Sequence, residues 1–441
     1  MNQSEFSFDW EWLPPFTSGS AEAATFAELE IRIHGRAATE LEDLQSQTLR
    51  ESMRVSAYPL AMFLAANWWR LRWEPAPARA TSHWRMSHSL AAVGGGYAWP
   101  DLTFASDGGS VRAVMTPGPG SATAPVRYVA EFSAWIRAGA FESAVNGLLD
   151  GVIARLHELG LRQSDLSALW AEVLAERADP SASRWRRLEA LAGYDPDEAP
   201  EALVDGLLRA AEGVGWGAVD ELAAASKGQA LDDLEALRRA LRSGQRMRVA
   251  ELDRLCREWC AETPAAPATA PWQRAARAAA LARSVWGLGS GPLGNGRLSE
   301  LAEIPRETLE RQPTGAGSAA PYSASERDDD GDGMRLVLHR RPATSRRFAI
   351  CRLVGDRLYA DPLDRLSAAT DARTDRQKFQ RAFAQELLCP FETLREFLDG
   401  KVPGDDDIEE AAEHFQVSPL VVRTALVNRH VLSPEVLDER H

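Results

Sequence analysis

Apolar and charged residues alternate along Phe26-Ala27-Glu28-Leu29-Glu30-Ile31-Arg32-Ile33, which predicts a strand with one face in a core. After a Gly94-Gly95-Gly96 turn, the short runs Leu102 to Phe104 and Val111 to Met115 predict two more strands. Between them, the apolar stretch from about Thr48 to Leu71 predicts a buried helix, stopped at Glu74-Pro75-Ala76-Pro77. With Trp10 and Trp12 ahead of a Pro14-Pro15 stop, residues 1–126 predict a Trp-rich α+β domain whose tryptophans are mainly core.

Past the Pro117-Gly118-Pro119-Gly120 break the period lengthens. Phe132, Trp135 and Ile136 recur at helical spacing, as do Leu148, Leu149, Val152, Ile153 and Leu156. Asp195-Pro196 and Ala199-Pro200 precede a new helix, Gly213 to Gly217 interrupts the next, and Ala- and Leu-rich helices run from Ala218 to Cys260. Residues 127–262 therefore predict a helical domain. Residues 263–333 read as a short helix, Trp272 to Trp286, between a Pro/Ala linker (Thr263 to Pro271) and a Gly/Ser/Asp-rich loop (Gly315 to Gly333). Residues 334–441 return to strand-then-helices order, opening with Met334-Arg335-Leu336-Val337-Leu338. The predicted fold class is α+β, predominantly helical.

Composition narrows the functional classes. The 441 residues exceed one hydrophobic core, and 45% hydrophobic with 26% charged residues is a globular balance. A net charge of −14 opposes nucleic-acid binding by bulk electrostatics. Only Lys227, Lys378 and Lys401 among the 50 basic residues are lysine, a usage that with abundant Ala suggests a GC-rich bacterial genome. Four cysteines without framework spacing point to a reducing compartment. The opening residues carry no secretory pattern, and the longest apolar run, Ala57 to Trp69, is too short to span a bilayer. The expectation is a cytoplasmic protein without a membrane segment.

Three C-terminal blocks carry a resemblance: Ser345-Arg346-Arg347-Phe348-Ala349-Ile350-Cys351-Arg352-Leu353-Val354-Gly355-Asp356, then Gln377 to Pro390 with Phe383-Ala384 and Leu387-Leu388-Cys389-Pro390, then Asp407 to Arg423. In this order they resemble the ImmA/IrrE family of zinc metallopeptidase-like domains. The resemblance covers residues 334–441, about a quarter of the chain, and implies a zincin-like domain ending in a helix-turn-helix-like pair. In that family a His-Glu-x-x-His helix supplies two zinc ligands and a general base, and a later helix supplies a third ligand. Matching Phe348 and Gly355 places Arg352 at the first histidine, Leu353 at the base and Asp356 at the second histidine, with Gln377 near the third ligand. A guanidinium stays protonated and offers donors only, so the site reads as degenerate, with no metal and no cofactor. Arg352 and Asp356, one turn apart, predict an ion pair that at the surface contributes about 0.3–0.5 kcal/mol.

Other chemistry is weaker. Asp328, Asp330 and Asp332 with Gly333 match the start of an EF-hand loop, but His339 stands where the bidentate Glu belongs, so a solvated acidic loop is expected rather than a calcium site. Cys256 and Cys260 lie one turn apart without a matching His or Cys pair, as buried helix cysteines do. His83, Arg85 and His88 form the densest His cluster, which could line a polar pocket but is more simply structural. No Walker A loop or Gly-x-Ser-x-Gly elbow is present.

A zinc-free member of the resembled family implies a catalytically inactive regulator or scaffold acting through a protein partner, in a bacterial stress, prophage or anti-phage module. Two alternatives stand beside it. One is an enzyme with its site in the first 260 residues. The other is a transcription regulator docking the terminal helices on DNA, which Arg340, Arg341, Arg346, Arg347 and Arg352 could serve as a basic face, against nine acidic side chains in residues 401–441.

Overall fold

Phe6–Trp12 (β1) and Phe26–Ile33 (β2) pair antiparallel, Phe6 opposite Ile33 and Trp12 opposite Ala27, and every second residue of β2 is buried, as its alternation requires. The computed structural model describes residues 4–14, 19–118, 125–262, 270–311, 319–328, 333–339 and 342–437. Helix makes up 55% and strand 17%, an α+β fold with several small antiparallel sheets. The chain divides into two compact units, Met1–Val204 and Asp205–His441.

In the first unit, α1 (Ala21–Ala24) separates β1 from β2, and β3 (Arg36–Ala37), β4 (Leu41–Asp43), β5 (Thr48–Arg50) and β6 (Met53–Ser56) follow. Helices α2 (Ala57–Ala66), α3 (Trp68–Trp73) and α4 (Ser82–His88) lead to β7 (Asp101–Ser106), β8 (Ser110–Thr116), β9 (Val126–Tyr128) and β10 (Phe132–Arg137). Helices α5 (Ala138–Glu158), α6 (Asp165–Ala178) and α7 (Pro180–Ala192) complete it. The helix expected from Thr48 starts instead at Ala57. Met53 to Ser56 pair with Phe26 to Leu29 as β6, and the Ser56 hydroxyl accepts from Tyr58 N–H to cap α2. Phe132 to Ile136, expected helical, is strand β10, because a spacing of four satisfies both periods and pairing with β8 decides. Phe6, Phe104 and Phe141 meet in one core with Trp68, Trp69 and Trp170, which draws α5 and α6 onto the N-terminal strands.

Helix α8 (Glu201–Val214) crosses into the second unit, which continues with α9 (Trp216–Ser226), α10 (Ala230–Arg242), β11 (Gln245–Arg248), α11 (Ala250–Glu262) and α12 (Pro271–Val285). Then come α13 (Asn295–Leu301), α14 (Arg306–Glu310), β12 (Ser323–Arg327), β13 (Gly333–Val337), α15 (Ala343–Tyr359) and β14 (Leu366–Ala369). The unit closes with α16 (Asp375–Leu388), α17 (Phe391–Phe397), α18 (Asp405–Phe415) and α19 (Pro419–Asn428). Its antiparallel sheet has the order β11-β13-β12-β14. Sequence divisions at 262 and 333 cut through this sheet, because β11 lies in the expected helical middle and β12 in the expected loop. The linker expected at 263–269 and the break at Pro119-Gly120 lie outside the described residues.

Met247, Met334 and Leu336, on one face of the sheet, share a core with Ile350 and Leu353 of α15. On the other face Ala324, Val337 and Leu366 are buried as well, while Arg246, Arg248 and Arg335 at the β11 side are exposed. Gly355 sets the approach of α15 to α16: a Cβ there would lie 2.6 Å from the Phe383 ring. Gly355→Ala is therefore expected to destabilise the protein by about 1–3 kcal/mol through overpacking, despite the higher helix propensity of Ala. Gly147→Ala in α5, where a Cβ meets nothing within 4 Å, is expected to stabilise by up to about 1 kcal/mol. Urea denaturation of both variants checks the contrast.

Candidate functional site

The Thr374 side chain accepts from Gln377 N–H at 3.2 Å and so caps α16, whose first two turns then carry Arg376, Gln377 and Gln380 toward Arg352 and Asp356 on α15. All five side chains are buried. The Gln377 carboxamide donates to the Ala368 carbonyl at 2.9 Å and accepts from Thr370 N–H at 3.1 Å, and Gln380 donates to Ala368 at 3.2 Å. Two amide side chains thus cover the free edge of β14. Arg352 Nη2 donates to the Thr370 carbonyl and to Gln377 Oε1, closing this part of the site.

Asp356 sits at the centre, fully buried. Arg376 grips it as a fork, Nε to Oδ1 at 2.7 Å and Nη2 to Oδ2 at 2.6 Å, and Gln380 donates to Oδ1 at 2.7 Å. Burial pushes the Asp356 pKa up, but the Arg376 charge and these hydrogen bonds outweigh it and hold the carboxyl below its ordinary value. The third nitrogen of Arg376 reaches Asp364 Oδ2 at 2.7 Å, and Gly217 N–H at the start of α9 donates to the other Asp364 oxygen at 3.1 Å. A Cβ at Gly217 would overlap both Asp364 and Arg376, so only glycine fits there. Glu221, one turn further along α9, accepts from the Thr374 hydroxyl at 2.8 Å. Burial raises its pKa to about 7 against the opposing pull of Arg376 and Thr374.

The structure thus brings Arg352, Asp356 and Gln377 together. Leu353 instead packs among Met247, Leu252, Met334 and Leu336. The pairing expected between Arg352 and Asp356 is corrected: both groups are interior, so the surface figure does not apply, and the bidentate partner of Asp356 is Arg376, which lies beside Gln377 in sequence. Arg376, Asp364, Gln380, Thr374 and Glu221 escaped the sequence reading. The Gly213 to Gly217 segment, read as punctuation, was the one local signal of the close approach at α9.

Elsewhere the sequence-named residues separate. His83 and Arg85 are exposed, with Arg85 3.7 Å from Asp101, while His88 is fully buried. Five residues along a helix turn through well over a third of a circle, so α4 cannot aim His83 and His88 at one pocket. His88 stacks on Trp84 at 4.2 Å, lies 3.0 Å from Glu74 and meets the Phe104 carbonyl at 2.8 Å, which requires a proton on Nδ1. Glu74 also accepts from Arg70 at 2.8 Å, so this cluster fastens α3 and α4 to β7. Cys260 is exposed, and Cys256, half-buried beside the Arg357 carbonyl, has its thiol pushed up to about 11 by burial. Among the described residues no group of three or more His, Cys, Asp or Glu is placed to hold a metal ion.

The basic face is also corrected. Arg346 donates twice to the Leu309 carbonyl, Arg347 donates to Leu293, Asn295 and Gln416, and both are buried. Arg340 and Arg341 lie outside the described residues, as does 329–332 of the acidic loop, whose Asp328 accepts from Arg246 at 3.0 Å. No helix among the described residues is long and apolar enough to cross a membrane. The chain matches no protein-family model, no curated protein and no solved structure.

Because the pKa of Glu221 is higher folded than unfolded, the native protein keeps a proton that the unfolded chain releases between about pH 4.5 and 7. Stability is greatest at the acid end of that window and falls as pH rises through it, by on the order of 3 kcal/mol from this group. Glu221→Gln, which keeps an acceptor for Thr374, is expected to remove that decline when wild type and variant are denatured in urea from pH 5 to 8. Asp356→Ala leaves the Arg376 guanidinium buried without its fork partner and is expected to cost about 3–5 kcal/mol. Arg306→Ala, which breaks the exposed pair with Glu310, should cost less than about 1 kcal/mol in the same assay.

Proposed function

We propose that the C-terminal unit is a catalytically inactive, metallopeptidase-like scaffold, and that the protein acts as a regulator by binding a protein partner rather than hydrolysing it. The observation that supports this reading is the direct hydrogen bond between Arg352 of α15 and Gln377 of α16, the two places where the resembled family holds its first and third ligands. Zinc coordination needs free lone pairs. Here Arg352 offers donors only, Gln377 Oε1 is engaged by Arg352 and Thr370 N–H, and both Asp356 oxygens are taken by Arg376 and Gln380. Leu353 supplies no base. The donor set does not fit zinc.

A place in a bacterial stress, prophage or anti-phage module belongs to the same proposal and rests on the resemblance alone. Elemental mass spectrometry of the full chain, after incubation with zinc and dialysis, tests the core of it. The expected zinc content is far below one equivalent in wild type and in Arg352→Ala alike. One equivalent in wild type would overturn the reading.

A further inference from the structure

Arg352 does not face only inward. Beside the network, in the same unit, lies a cleft of about 320 Å³, at the small end of the range for ligand sites. Two guanidinium groups reach it, Arg352 and Arg381, against one carboxylate, the exposed Asp371. Arg352 donates to the Thr370 carbonyl and Arg381 to the Ala372 carbonyl at 3.0 Å, which helps to hold both planes in place. The local balance is one net positive charge.

Two helix starts add to it. Thr344 and Ser345 from the first turn of α15, and Ser418 and Val421 from the first turn of α19, line the same cleft. Their backbone N–H ends carry partial positive charge, and their hydroxyls can donate. Apart from Ser323, whose hydroxyl already accepts from His339 N–H, the remaining wall is apolar, with Phe348, Ala369, Val417 and Leu420. A dianion such as phosphate would shed its hydration against that wall, and its second charge would find no counterpart. A monoanion with an apolar group beside it satisfies both halves.

We propose that this cleft binds an aliphatic carboxylate, the chemistry shared by the C-terminal residue of a peptide and a free branched-chain acid. The carboxylate lies against Arg352 and Arg381, and the branched chain lies against Phe348 and Leu420. This deepens the binding role proposed above and rests on it.

Isothermal titration calorimetry on the full chain, with N-acetyl-leucine as the probe, tests the assignment. Expected is saturable binding at least about tenfold tighter than that of N-acetyl-leucinamide, which lacks the charge. Arg381→Gln should weaken it by about tenfold, and Leu420→Asp, at a side chain 56% exposed and so tolerated by the fold, should abolish it. An acetylated tripeptide ending in leucine that binds more tightly than 4-methylpentanoate identifies a peptide terminus, and the reverse order identifies a free acid. Equal affinity for the amide, no saturable binding by either leucine probe, or binding of inorganic phosphate alone would overturn the proposal. Zinc content is a separate readout, so loss of this proposal and loss of the metal-free reading are distinguishable.

Discussion

The C-terminal unit depends on the Asp356–Arg376 ion pair. Taking both charges out of water costs several kcal/mol per ion, and only short, bidentate geometry with every remaining donor engaged offsets that cost. The geometry is of that kind: two fork bonds join the pair, Gln380 shares Oδ1, and the remaining nitrogen of Arg376 goes to Asp364. Because Asp356 belongs to α15, Arg376 to α16 and Asp364 to the turn before β14, one guanidinium fixes three segments at once. Gly217 then extends the restraint to α9. The arrangement has little tolerance for a missing member, since each removal strands a buried charge.

The same residues solve a second problem. A strand at the edge of a sheet leaves backbone groups unpaired, and β14 is buried at all four positions, where water cannot satisfy them. Gln377 and Gln380 present amides whose donor and acceptor ends match a carbonyl and an N–H two residues apart. An ionised glutamate at 377 could not serve both, since it has no donor for the carbonyl. The requirement of a covered edge therefore gives a structural reason for glutamine at this place, independent of any ancestry in metal chemistry.

Legibility from sequence followed how far each element depends on its own residues. Strand β2, with alternating burial, and helices α5 and α12, with periodic apolar stripes, were readable, whereas α15 and α16 were expected only through the resemblance. Strands β12 (Ser-Ala-Ser-Glu-Arg) and β14 (Leu-Ser-Ala-Ala) were not readable, because small buried residues carry neither alternation nor β-branched enrichment, and β11 (Gln-Arg-Met-Arg) was not, because its one buried residue, Met247, sets no period. At the site, the resemblance pointed to Arg352, Asp356 and Gln377, and the structure places them together. It did not point to Arg376, the strongest partner, since a charged residue in the first turn of a helix ordinarily reads as solvated. Which carboxylate an arginine meets is decided by tertiary packing and leaves no local mark.

Arginine recurs at buried polar junctions: Arg70 with Glu74 in the first unit, and Arg346, Arg347 and Arg376 in the second. A lysine offers one point of charge, whereas the planar guanidinium offers donors along separate edges and holds its charge when desolvated. That property explains how one residue can belong to an interior and to a surface. At Arg352 one nitrogen serves Thr370 and Gln377 in the interior, while the side chain also lines an open cleft. Arg352 is thus a fixed cation at the wall of that cleft. A guanidinium held in this way against an apolar wall sets a fixed positive charge beside a surface that sheds water, which is the physical setting in which a carboxylate is recognised.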